Sequence, residues 1–176
     1  MDKRPLYVAV AADCDGSDPQ RHSMAALACA VVNPERAREV FYRELQPVGR
    51  YFDPLREDWL KARGISRDTR QQNGNDPEAV LVELADWLDV ACWILYQPVF
   101  VPADELTEVF LRDYLARCRL EDPFDNPFNA AYSPEAIALL GGDFLDGLAK
   151  MVSYQKVDAV GRELSRRLAV RPAINA

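Results

Sequence analysis

Six apolar residues in a row, Tyr7-Val8-Ala9-Val10-Ala11-Ala12, offer neither face of a strand to water, which predicts a strand in the middle of a sheet. Ala25–Val32 is a second apolar strand, and Glu39–Leu45 a third, richer in polar residues and so nearer an edge. The spacers between them are short enough for antiparallel hairpins. Beyond residue 50 the apolar positions change to a helical spacing. Asp53–Arg63 reads as a helix ended at Gly64, and Asp76-Pro77 is a strong helix start, an N-cap residue followed by proline at the first position. Val80, Leu81, Leu84, Trp87 and Leu88 continue it as an apolar stripe. Ala91–Tyr96 reads as a short buried strand. A helix from Ala103 to Arg117 follows, with Leu106, Val109, Phe110 and Tyr114 inward. Ser133-Pro134-Glu135 opens another helix, closed by Gly141-Gly142. The last helix spans Tyr154–Leu168, with Val157, Val160, Gly161, Leu164 and Leu168 on one face. Strands first, then alternating helices and one more strand, predict an α/β fold with a mixed central sheet flanked by helices.

Length adds that one domain, residues 1–170, can bury a real core, with a short C-terminal tail at 171–176. No apolar run approaches the length needed to span a bilayer. The start, Met1-Asp2-Lys3-Arg4-Pro5, leads into a strand and not into the apolar region of a signal peptide. Cys14, Cys29, Cys92 and Cys118 are scattered and form no Cys-x-x-Cys pair, so a reduced, cytoplasmic protein is the simplest expectation. The formal net charge of −7 gives no basic field to attract phosphates. That counts only weakly against nucleic acid, because metal-dependent nucleases carry acidic sites.

The candidate chemistry is carboxylate chemistry. The first strand runs straight into Asp13-Cys14-Asp15-Gly16, and on an extended chain Asp13 and Asp15 face the same side. Asp104 and Glu105 open a helix, and Asp158 follows Tyr154 by one helical turn. The plain reading of the same residues is that Asp13 and Asp15 cap a strand end and a turn. Asp104 and Glu105 then complement a helix dipole, and Tyr154 is a half-buried aromatic. Other constellations are poorer. His22, the only histidine, sits in a polar turn, the cysteines lack zinc spacing, and Asp143 and Asp146 lack a calcium loop's alternating oxygens. Arg162, Arg166, Arg167 and Arg171 form the basic cluster of the last helix, which a solvated face near a helix C-terminus explains.

Asp13-Cys14-Asp15-Gly16 at the end of the first strand resembles the opening motif Asp-x-Glu-x-x-Gly of the DEDDh 3′–5′ exonucleases, the proofreading-exonuclease and ribonuclease T-like family of the ribonuclease H-like superfamily. Ser23-Met24, Phe41-Tyr42-Arg43-Glu44-Leu45-Gln46-Pro47, Gly64-Ile65-Ser66, Asp76-Pro77 through Ala85-Asp86-Trp87-Leu88, and Pro98-Val99-Phe100-Val101 are similar, in order, to segments of a bacterial branch. The resemblance covers almost the whole chain and implies a ribonuclease H-like fold. It also implies phosphodiester hydrolysis by two Mg²⁺ or Mn²⁺ ions held by four carboxylates, with a histidine or tyrosine positioning the attacking water. Position by position the motifs are degenerate. The leading Asp falls on Ala11, the Glu on Asp13, the second-motif Asp on Thr107, and the histidine and Asp of the third motif on Ser153 and Asp158.

The expectation is therefore a pseudo-exonuclease that acts by binding a protein partner or a nucleic-acid end. Phosphate repulsion by Asp13, Asp15 and Asp158 tilts it toward the protein partner, and a homodimer fits the resemblance. The alternative is a weak metal-dependent exonuclease on DNA or RNA, with Asp13, Asp158, Asp15 and Asp104 as residual ligands and Tyr154 in place of the base.

Overall fold

A computed structural model describes residues 4–32, 39–92, 96–124, 140 and 142–169. Four strands, β1 (Arg4–Cys14), β2 (Met24–Val32), β3 (Val40–Glu44) and β4 (Tyr96–Pro102), form one sheet in the order β3-β2-β1-β4. The pairs β1–β2 and β2–β3 are antiparallel, and β4 is parallel to β1. The expected mixed sheet is thus present, with the most apolar strand inside it and the polar β3 at one edge. Pro98 and Pro102 lie in β4 at the other edge, where a missing amide is tolerated.

The expected strand at Ala91–Tyr96 is misplaced. Ala91 and Cys92 continue the buried Leu84 and Leu88 stripe at helical spacing, so they end a helix, and the strand begins only at Tyr96. A short apolar run fits either period, and here the helix captured its first residues.

Six helices are described: α1 (Pro54–Lys61), α2 (Arg67–Asn73), α3 (Pro77–Cys92), α4 (Glu105–Cys118), α5 (Gly142–Leu148) and α6 (Ser153–Ala169). The first two helix starts have a local cause. Asp53 caps α1 by accepting the Leu55 and Arg56 amides, and Pro54 fits the first turn. Gly64, at φ +82°, adopts the left-handed backbone after α1. Ser66 caps α2, a helix that the sequence pattern left unassigned. The helix expected at residues 133–141 and the tail at 171–176 lie outside the described residues.

β1 is sealed on both faces. Val8, Val10, Ala12 and Cys14 pack with Val80, Leu81, Leu84, Phe110, Leu111 and Tyr114 of α3 and α4. Ala9 and Ala11 join Ala28 and Ala30 in a floor of small side chains under Val157, Val160 and Leu164 of α6. The α4 stripe is turned by one position from the expected one. Thr107, Phe110, Leu111, Tyr114 and Leu115 are buried, whereas Leu106 and Val109 are exposed. With Asp104 as N-cap, the inward face is fixed by Thr107, whose hydroxyl accepts the Ala12 amide at 3.0 Å.

Past β1, the chain is tied down by a buried ion network. Asp15 is fully buried; its Oδ1 accepts the Ser23 amide at 2.6 Å, and its Oδ2 meets Arg67 at 2.7 Å and Arg70 at 3.4 Å. Arg70 is itself fully buried and also reaches Glu57 at 3.4 Å. Both arginines belong to α2 and Glu57 to α1, so this carboxylate holds the helical corner against the end of β1. Removing it leaves buried guanidinium uncompensated. Asp15→Ala should cost about 3–5 kcal/mol, read as a lower urea midpoint at unchanged m-value.

Candidate functional site

β1 and β4 both deliver their C-terminal ends to the same place. There, the turn after β1, the start of α1, the start of α4, the end of α5 and Lys156 of α6 enclose a cleft of about 500 Å³. Its lining includes Cys14, Gly16, Asp53, Arg56, Asp104 and Lys156. Gly16 has no alternative: a Cβ there would come within 2.3 Å of the His22 ring, whose Nδ1 accepts the Asp18 amide.

Asp13 stands at the end of the α6-facing side of β1 and is fully buried. Its Oδ2 accepts the Ser153 amide at the start of α6 at 2.8 Å. Its Oδ1 and the Ser153 hydroxyl oxygen are buried without a partner among the described residues. Burial pushes the Asp13 carboxyl above its ordinary value, against the pull of the Ser153 amide and the Lys156 and Arg56 cations.

Asp104 works on two fronts. Oδ1 accepts the Thr107 amide at 2.8 Å and the Thr107 hydroxyl at 2.7 Å, and Oδ2 meets the Lys156 ammonium at 2.6 Å. Burial alone would raise this carboxyl; Lys156 and the Thr107 hydrogen bonds outweigh it and hold the group below its ordinary value. Lys156 is 5% exposed, a buried cation supplied by the protein. Across the cleft, Arg56 donates from Nε to the Cys14 carbonyl at 3.1 Å and stacks on Trp59.

The structure thus brings Asp13 to Ser153, and Thr107 and Lys156 to Asp104. It does not unite the other expected residues with them. Asp15 turns away into the Arg67–Arg70 network. The alternation that would align it with Asp13 ends with β1 at Cys14, and Asp15 already lies in the bend beyond the strand. Asp158 is half-buried and pairs with Arg162 one turn along its own helix at 2.8 Å. It is Val157, one residue earlier, that joins the buried cluster of Ala11. Tyr154 is 47% exposed with its ring edge-on to Tyr42, 5.7 Å between centroids. Among the described residues, no three His, Cys, Asp or Glu side chains converge as a metal-holding group.

Sequence reasoning missed Lys156 and Arg56. A signal for Lys156 existed, since it lies at i−4 from Val160 and i−8 from Leu164, on the stripe that α6 buries. For Arg56 no local signal distinguishes it from its neighbours on α1.

The opposite shifts of the two carboxyls give opposite pH responses. Folded Asp13 holds its proton above 3.8, so its contribution to stability falls as pH rises through the interval up to its raised value. Asp104 contributes stability above 3.8 that is lost as pH falls toward its lowered value. Asp13→Asn should therefore raise the melting temperature relative to wild type near pH 7, with the gain shrinking toward about pH 4; Asp104→Asn should show a loss near pH 7 that shrinks on acidification. Thermal unfolding across that range checks both signs.

Comparison with known proteins places this geometry in a fold. No family model matches the chain and no curated protein matches it. Solved structures do. The nuclease domain of 3′hExo, a DEDDh family member bound to rAMP, superposes with a TM-score of 0.64 at 13% identity, over 96% of this chain and 94% of that one. A full-length 3′-exonuclease gives 0.67 at 13% identity, over 96% and 83%. Exonuclease I of E. coli in complex with a 5cy-dA13 oligonucleotide gives 0.60 at 14% identity, over 93% of this chain but 40% of that one. At such identities the likeness is one of architecture, and the architecture is the ribonuclease H-like fold of DEDDh exonuclease domains.

Proposed function

We propose that this protein uses an exonuclease fold to bind a nucleic-acid end without hydrolysing it. The observation that carries the reading is the set of residues in and behind the cleft. A two-ion mechanism needs carboxylates converging on divalent cations with near-octahedral oxygen coordination. Here Ala11 is part of an apolar floor, and the Thr107 hydroxyl is committed to the Ala12 amide and Asp104. Asp158 pairs with Arg162, and Asp104 is closed by a buried ammonium. Asp13 alone keeps an unpartnered buried oxygen. This residue set does not fit the metal pair that the fold implies, so no hydrolytic step is derived through it.

Nucleic acid is favoured over a protein partner by two things together. The fold neighbours include domains bound to rAMP, to an oligonucleotide and to a histone mRNA stem-loop. The cleft also contains Lys156 and Arg56, cations that lessen the phosphate repulsion expected from the acidic sequence alone. The unpartnered Asp13 oxygen favours a second reading, a slow exonuclease with one cation on Asp13.

The two readings separate in one assay. End-labelled single-stranded DNA and RNA are incubated with Mn²⁺ and either wild type or Asp13→Ala. The expected result is retarded but full-length strand with both proteins. Trimming from the 3′ end that Asp13→Ala abolishes would establish the slow exonuclease instead.

A further inference from the structure

Resting on the reading of the cleft as a binding site, we propose that Arg56 and Lys156 form a metal-independent site for a terminal phosphate monoester. Both residues line the same cleft, from opposite elements, α1 and α6. Lys156 has three N–H donors and gives one to Asp104. Arg56 spends Nε on the Cys14 carbonyl, while its two terminal nitrogens donate to no described residue. A planar fork and an ammonium facing a common space match a phosphate dianion, which takes two N–H bonds from the fork and more from the point charge.

Three carboxylates line the same cleft. Asp53 is hydrogen-bonded to the Leu55 and Arg56 amides and Asp104 to Thr107 and Lys156, while Glu105 is exposed to solvent, which screens its charge. Trp59 further holds the Arg56 guanidinium, which lies 4.1 Å from its ring centroid, so little rotamer entropy remains to be lost on binding. A monoester, with its second negative charge, gains more from two cations than the diesters along a strand. The preferred ligands are thus a free mononucleotide or a strand carrying a terminal phosphate, ahead of a strand ending in hydroxyl.

The test is equilibrium binding of three probes in excess EDTA and again in Mg²⁺: 5′-AMP by calorimetry, and fluorescein-labelled single strands ending in 3′-phosphate or 3′-hydroxyl by anisotropy. The expected result is binding of 5′-AMP, the phosphorylated strand or both that EDTA leaves unchanged, the phosphorylated strand exceeding its hydroxyl counterpart. Arg56→Ala and Lys156→Gln should each weaken it about tenfold, as for a lost charge-assisted hydrogen bond. Arg56 is partly exposed, so its variant keeps the test open if Lys156→Gln fails to fold. Binding of 5′-AMP without either strand would uphold the phosphate site and overturn the strand-end reading. Strand binding that appears only with Mg²⁺, that ignores the terminal phosphate, or that survives Arg56→Ala unchanged would overturn the phosphate site and leave the strand-end reading standing. No binding of any probe in either condition overturns both.

Discussion

A carboxylate that emerges from a strand sealed on both faces must find a partner inside the protein, because water is not there to solvate it. Both faces of β1 are covered, and it leads into Asp13 at its end and Asp15 just past it, both fully buried. The architecture around its C-terminal end follows from how these two charges, and Asp104 beside them, are satisfied. Asp15 takes two arginines and a backbone amide, and so fixes α1 and α2. Asp104 takes Thr107 and Lys156, and so links the start of α4 to α6. Asp13 takes the Ser153 amide, which with the nearby cations does not offset desolvation, and its carboxyl is raised.

That unequal settlement gives the cleft its character. Where a pair of hard cations would draw several carboxylates inward, this chain closes one carboxylate with an ammonium and leads a second into a guanidinium network. The last helix presents Val157 to a floor of alanines and keeps Asp158 on its half-exposed side. The small side chains at 9, 11, 28 and 30 then have a packing purpose of their own, since they let α6 lie close to the sheet. Ala11 is therefore a component of a well-filled interface as well as a position lacking an acid.

The strand order and the capped helix starts were legible because they rest on local rules: unbroken apolar runs, an Asx-Pro start and a glycine after a helix. The errors were local too. Ala91–Tyr96 reads as a strand because a short apolar run has no intrinsic period, and only the packing of Ala91 and Cys92 against Leu6 of β1 and Val31 of β2 shows that α3 runs through them. The α4 face was one position off because Thr107, a polar residue, faces inward to bond a backbone amide that hydropathy does not see.

For the site, the sequence by itself determined which residues carry acids near the end of the first strand and at the start of α4. Only the tertiary structure decided where those acids point. The end of β1 at Cys14 separates Asp13, inside the strand, from Asp15 in the bend beyond it, and one step of helical phase separates the buried Val157 from the half-exposed Asp158. It alone also brought Arg56 and Lys156, 100 positions apart, to one cleft. Spacing along a chain fixes direction only within one regular element, whereas the meeting of charges from different elements depends on how those elements pack.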